Sequence, residues 1–202
     1  KRPDRAVTVY TQRCREAWPE VPIVIGGIEA SLRRIAHYDY WSDKVRRSIL
    51  LDSRADLLVY GNGERQITEI AHRLSRGEAI GKLTNIRGTA FIAKSISTAN
   101  AFNKDWMEID SSRIDRPGKL DAVVNPYVLI DEKNCANADN NPPQQVDIPL
   151  RQIAKSLDRN RTVIRLPSYE KVKNDPVLYA HASRVLHLET NPGNARALVQ
   201  KH

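Results

Sequence analysis

Twice in this chain a short apolar run meets a glycine loop and is followed at once by a helical pattern. In "PIVIGGIEASL" the run 22–25 leads into Gly26-Gly27. In "DLLVYGNGERQITEIAHRL" the run 57–60 leads into Gly61-Asn62-Gly63. Short apolar runs bounded by turn residues read as strands buried on both faces. Ile28, Leu32 and Ile35 then recur at i, i+4 and i+7, a helical stripe. Ile67, Ile70, Ala71 and Leu74 do the same ahead of Gly77, which suits a helix C-terminus. Two β–loop–α units in series predict a parallel α/β sheet. Right-handed crossovers would bring both glycine loops to the carboxyl ends of neighbouring strands, where such sheets hold ligands.

A missing side chain serves two purposes, a turn at positive φ or the close approach of another group to the backbone. The spacing leaves both open. The candidate ligand crevice is therefore Gly26, Gly27, Glu29, Ser31, Gly61, Asn62, Gly63 and Glu64. Glu29 and Glu64 open their helices, where an acid also complements the helix dipole. Ser31 faces either a ligand or its own backbone.

Elsewhere the pattern predicts a helix over 4–18, with Pro3 suited to its first position. "AHYDYWSDKVRRSILL" reads as a helix with Ser42 as N-cap and Trp41, Val45 and Ile49 on one stripe. "GTAFIAKSI" and "RTVIRLP" read as strands, and "SYEKV" as a helix. A further helix follows Asp175 as N-cap and Pro176 at the first helical position. The polar, proline-broken "ANADNNPPQQ" at 136–145 is expected to be a mobile loop. "NARALVQKH" reads as a helical pattern without a stop signal. Together with the start at Lys1, this leads us to expect a fragment of a longer protein. The expected organisation is a Rossmann-like core over 1–120, then a flexible loop, a strand and a helical extension over 121–202.

The chain of 202 residues has no run of 18 apolar residues, so no membrane span is expected. Its net charge is +8 with a pI near 9.6, and the excess is spread along the length rather than gathered in an arm. The densest basic spots are Arg33-Arg34 and Lys44, Arg46 and Arg47. Trp41 with Tyr38 and Tyr40 beside these arginines can stack a base or pack in a core. Cys14 and Cys135 lie far apart and form no metal-ligand spacing, and no two histidines share one. Sparse cysteine suits a reducing cytoplasm.

The stretch from "RPDRAVTVYTQRCREAWPEVPIVIGGIEASLRRIAHYDYWSDKVRRSILLD" through "SRADLLVYGNGER" resembles the N-terminal region of YgiQ-type radical SAM proteins, a family of unknown reaction. "RLPSYEKVKNDPVLYAHASRVLHLETNPGNARALVQ" resembles the segment just before that family's catalytic barrel. The two glycine units are also similar to the flavodoxin-like, cobalamin-binding-type domains fused to many radical SAM enzymes. The resemblance implies a truncated three-layer parallel sheet. It also implies a parent that holds a [4Fe-4S] cluster on a CxxxCxxC motif and cleaves S-adenosylmethionine. No such motif occurs here, so the cluster is expected beyond His202 and the chain alone is expected to be non-catalytic. No histidine sits in Asp-x-His-x-x-Gly, which argues against cobalamin. The reading is an accessory domain that positions substrate or covers the barrel, its partner being the parent's own barrel. The alternatives are an RNA- or nucleotide-binding module and a purely structural scaffold.

Overall fold

The structure, a computed structural model, describes residues 3–93, 106–118, 158–191 and 193–202. The expected loop at 136–145 lies outside them.

Both glycine units form as strand, loop and helix. β1 (Val24–Ile25) leads into α2 (Gly27–Leu32), and β4 (Leu57–Val59) into α4 (Glu64–Ser75). β1 and β4 pair in parallel, with Val24 opposite Leu57 and Ile25 opposite Leu58. β4 is the centre of this sheet and is buried along its whole length. Leu58 packs with Ile25, Ala30, Ile49 and Leu50 on one face. Leu57 and Val59 pack with Ile70, Leu83 and Ile86 on the other. Helices therefore cover both faces of β4, as its unbroken apolar run requires.

The sheet is mixed rather than parallel throughout. β5 (Thr89–Ala90), reached through α4 and a 3-10 turn at Ile80–Lys82, runs antiparallel to β4. A second sheet, wholly parallel, has the order β6 (Met107–Asp110), β7 (Thr162–Arg165), β8 (Ala197–Val199). Its pairing crosses the division drawn at residue 120. β8 corrects the helix expected from "NARALVQKH": Ala197 to Val199 complete the parallel ladder on β7. β6 lies in a stretch where no strand is expected.

Three further expectations are revised. α1 (Ala6–Ala17) starts three residues after Pro3. Its second residue, Val7, donates its N–H to Glu29 Oε2 at 3.3 Å, so α2 supplies the cap that the sequence before α1 lacks. The helix expected around Trp41 is instead a hairpin, β2 (His37–Asp39) and β3 (Lys44–Arg46). The N-cap is Ser48, whose hydroxyl accepts from Leu50 N at the start of α3 (Ile49–Ser53). Finally, the stripe Ile28, Leu32, Ile35 does not face one core. Ile35 is buried, but Ile28 is 80% and Leu32 66% exposed. The small Ala30 is the α2 residue packed with Leu58.

Two helices complete the second half, α5 (Tyr169–Asn174) and α6 (Pro176–Leu188). Asp175 caps α6 as expected, its carboxylate accepting from Val177 N and Leu178 N. Val185 of α6 packs with Ile109 and Ile164 of the sheet, and Ile35 joins that cluster. Ala36 packs with Val172 and Ala182. The segment just after α2 thus ties the first half to the second.

Candidate functional site

Parallel pairing of β1 and β4 brings the two glycine loops to one edge of the sheet. Gly27 holds φ +82° and Gly61 φ +73°, conformations that residues with a side chain rarely adopt. A Cβ on Gly27 would meet nothing within 4 Å, so the loop faces open space there. Gly26 is extended, and a Cβ on it would lie 3.4 Å from Val59 O, an ordinary contact. A Cβ on Gly63 would lie 2.8 Å from Val59 Cγ1, so that glycine is set by packing on β4. One member of the first pair serves the turn by its φ, and the other has room for a methyl group.

The remaining candidates divide. Asn62 and Glu64 are exposed beside Gly61. Glu29 is committed to the fold: Oε1 accepts from Arg33 Nη1 at 3.0 Å while Oε2 caps α1. Ser31 is half-buried, and its carbonyl accepts from Arg34 Nη1 at 2.6 Å.

The aromatic and basic cluster is arranged as the hairpin dictates. Tyr38 and Tyr40 point outward, and Tyr40 meets Trp41 edge-on at 5.5 Å between ring centroids. The buried face carries His37 and Asp39. Asp39 accepts from Arg5 at 2.5 Å and from Ser42 Oγ at 2.7 Å, with Arg46 3.9 Å away. Burial raises the pKa of its carboxyl, but Ser42, Arg5 and Arg46 outweigh that and hold it below the usual value. Arg46 and Arg47 both pair with Asp52, and Arg33 with Glu29. The basic spots singled out by the sequence are thus mostly neutralised by carboxylates.

Two arrangements have no signal in the linear sequence. At the carboxyl end of β6, Ser111 Oγ lies 2.9 Å from His181 Nε2, and Asp115 lies 3.7 Å from His181 Nδ1. The order Ser–His–Asp invites a nucleophile reading. However, Ser111 is 2% and His181 4% exposed, so no substrate reaches the hydroxyl. The imidazole pKa is lowered by burial in spite of Asp115, and the ring is neutral near pH 7. Its role is to join β6 to α6. The second arrangement is a cavity of about 680 Å³ between the β5 side of the first sheet and the β8 edge of the second. Arg34, Tyr60, Ile86, Phe91 and Leu198 are among its lining residues.

Among the described residues no group of three or more His, Cys, Asp or Glu is placed to hold a metal ion. Two cysteines in the whole chain cannot supply the three thiolates of a CxxxCxxC site, so this chain's residues do not fit an iron–sulfur cluster. No helix among the described residues is long and apolar enough to cross a membrane.

A sequence model of the family described as radical SAM N-terminal matches residues 1–202. The chain belongs to the radical SAM N-terminal family. It is 59% identical to a UPF0313 protein of Pseudomonas aeruginosa over 210 residues, covering 100% of this chain and 27% of the relative. Identity to the UPF0313 protein YgiQ of Escherichia coli is 54%, with 26% of that protein covered. A UPF0313 protein of Chromobacterium violaceum is 57% identical, with 27% covered. The chain thus spans about a quarter of the length of these relatives. No solved structure matches it.

Proposed function

We propose that this chain is an accessory N-terminal domain, flavodoxin-like in architecture, of a radical SAM enzyme. In this reading its glycine-loop edge and α2 lie against the rest of the protein, where they position substrate or cover the mouth of the catalytic barrel. The [4Fe-4S] cluster and S-adenosylmethionine belong to the parent's other residues. Few cysteines agree with a reducing cytoplasm.

The observation that carries the reading is the exposure of Ile28 and Leu32, 80% and 66%, on a helix that begins at the glycine pair. Two large aliphatic side chains side by side in water are a cost that a covering partner removes, about 1.5–3 kcal/mol for each side chain fully buried. The relatives are about four times as long as this chain, so the same polypeptide can supply the cover. A nucleic-acid role has less support, because the clustered arginines are paired with Glu29 and Asp52.

The test uses the full-length protein. A helix of six residues left in water exchanges its amide hydrogens rapidly. Slow exchange over residues 27–32 is expected if the face is covered. Ile28→Asp with Leu32→Asp should lower S-adenosylmethionine cleavage at least tenfold while the cluster stays bound. Rapid exchange together with unchanged cleavage would refute the reading.

A further inference from the structure

Arg34 leaves α2 and enters the cavity between the two sheets. Its guanidinium lies 4.4 Å from the centre of the Tyr60 ring, and Nη1 donates to Ser31 O at 2.6 Å. Nη2 is buried and has no hydrogen-bond partner among the described residues. Among the described residues no carboxylate pairs with it, and burial lowers the Arg34 pKa. A buried donor with no partner typically costs 1–3 kcal/mol, and more when it is charged. An ion pair would offset that cost, and the described residues provide none.

The rest of the cavity has the same sign. Among the described residues, no Asp or Glu lines it, whereas Arg87, Arg159, Arg165 and Lys201 do. Arg159 and Arg165 are partly compensated from behind by Glu189 and Glu108. Arg87 is held by Gly193 O and by Asn160. Arg196, also on the wall and 5% exposed, lies 3.6 Å from Glu189, whereas Arg34 forms no ion pair among the described residues. The lining also includes the apolar Leu50, Ile86, Phe91 and Leu198. A volume of about 680 Å³ falls within the ordinary range for small-molecule sites.

We infer that this cavity is a binding site for a small organic oxyanion, a phosphate monoester or carboxylate on an apolar or aromatic body. The anionic group pairs with the Arg34 guanidinium, and the body lies against Ile86 and Phe91. Tyr60 holds the guanidinium plane in place by stacking beneath it. The site is separate from the glycine-loop edge and does not depend on the accessory role proposed above.

The experiment measures equilibrium binding of 1-naphthyl phosphate, 1-naphthoate and 1-naphthol to the full-length protein, with inorganic phosphate as competitor. The two anions are expected to bind saturably and at least tenfold tighter than the naphthol. Arg34→Met should weaken anion binding tenfold or more, and Arg34→Lys less. Ile86→Trp, which fills the cavity from its apolar wall, should abolish binding of all three probes. Melting temperature is followed for each variant. Equal binding of naphthol and naphthyl phosphate, or no saturable binding, would overturn the inference. So would affinity within twofold of the parent in Arg34→Met. If that variant does not fold, unchanged affinity in both Arg34→Lys and Ile86→Trp has the same force.

Discussion

The two three-stranded sheets meet the same rule of parallel α/β architecture in opposite ways. In the first, the carboxyl ends of β1 and β4 open onto glycine loops, with space beyond Gly27 and exposed aliphatic residues on α2. In the second, the carboxyl end of β6 is filled by Ser111 and closed by the His181 imidazole from α6. Strand carboxyl ends are where such sheets hold ligands. One sheet has spent that position on internal cohesion, while the other has left it free of side chains. The contrast teaches that the topology alone does not make a site; what occupies the strand ends decides.

The largest effect should come from the closed sheet. Ile164 is fully buried at the centre of β7, among Ile109, Leu166 and Val185. Ile164→Ala should destabilise the protein by about 2–5 kcal/mol, read by denaturant unfolding. A loss under 1 kcal/mol would show that the second sheet is not the firmly packed half.

Next comes Gly27→Val at the open edge. Its cost is set by the backbone, since φ is +82° and nothing lies near the new side chain. About 1–3 kcal/mol is expected from a branched residue forced into that region. A neutral result would mean that the loop relaxes, and the edge would then be softer than its geometry implies.

A pH titration separates the halves further. Burial depresses the pKa of His181, and of His37, below the ordinary imidazole value. Such groups favour the folded state above the unfolded pKa of about 6.5, and that advantage is lost as the pH falls below it. Asp39 and Asp52, also depressed, add a loss in the same direction at more acidic pH. His181→Leu should flatten the first phase of the melting-temperature profile, and an unaltered profile would remove His181 from the account.

The smallest effect is the most diagnostic. Gly26→Ala should change stability by no more than about 0.5 kcal/mol, because the methyl group fits beside Val59 O. If catalysis in the full-length protein nevertheless falls, another group approaches the main chain at that point. If neither property moves, the glycine pair serves the turn alone.

Much of the first sheet is legible because β1 and β4 are apolar throughout and glycines punctuate them. β4 and α4 follow the periodicity closely, and Asp175-Pro176 marked the start of α6 without tertiary help. The hairpin was misread for a specific reason. In His37-Tyr38-Asp39-Tyr40 the alternation is real but inverted, with polar residues inward and aromatic ones outward. A buried carboxylate held by Arg5 makes that inversion stable, and Arg5 is 34 positions away. α2 forms where its stripe predicts a helix, but Ile28 and Leu32 share a face that meets no core among the described residues. The cavity carried no linear signal at all: Arg34, Tyr60 and Leu198 come together only when the two sheets are built.

The register of the two ladders also bears on the order in which the molecule can assemble. Val24 finds Leu57 once α2, the hairpin and α3 have been made, whereas Met107 must wait longer for Thr162, and β8 closes the ladder only at Val199. Closing longer loops costs more entropy and slows folding. During synthesis the open sheet can therefore form while the ribosome is still producing the other half. The nascent chain would then carry a completed glycine edge and a lone β6 through some 50 residues of elongation, a few seconds at ordinary rates. That interval is when the edges of β6 and β5 are most in need of a chaperone.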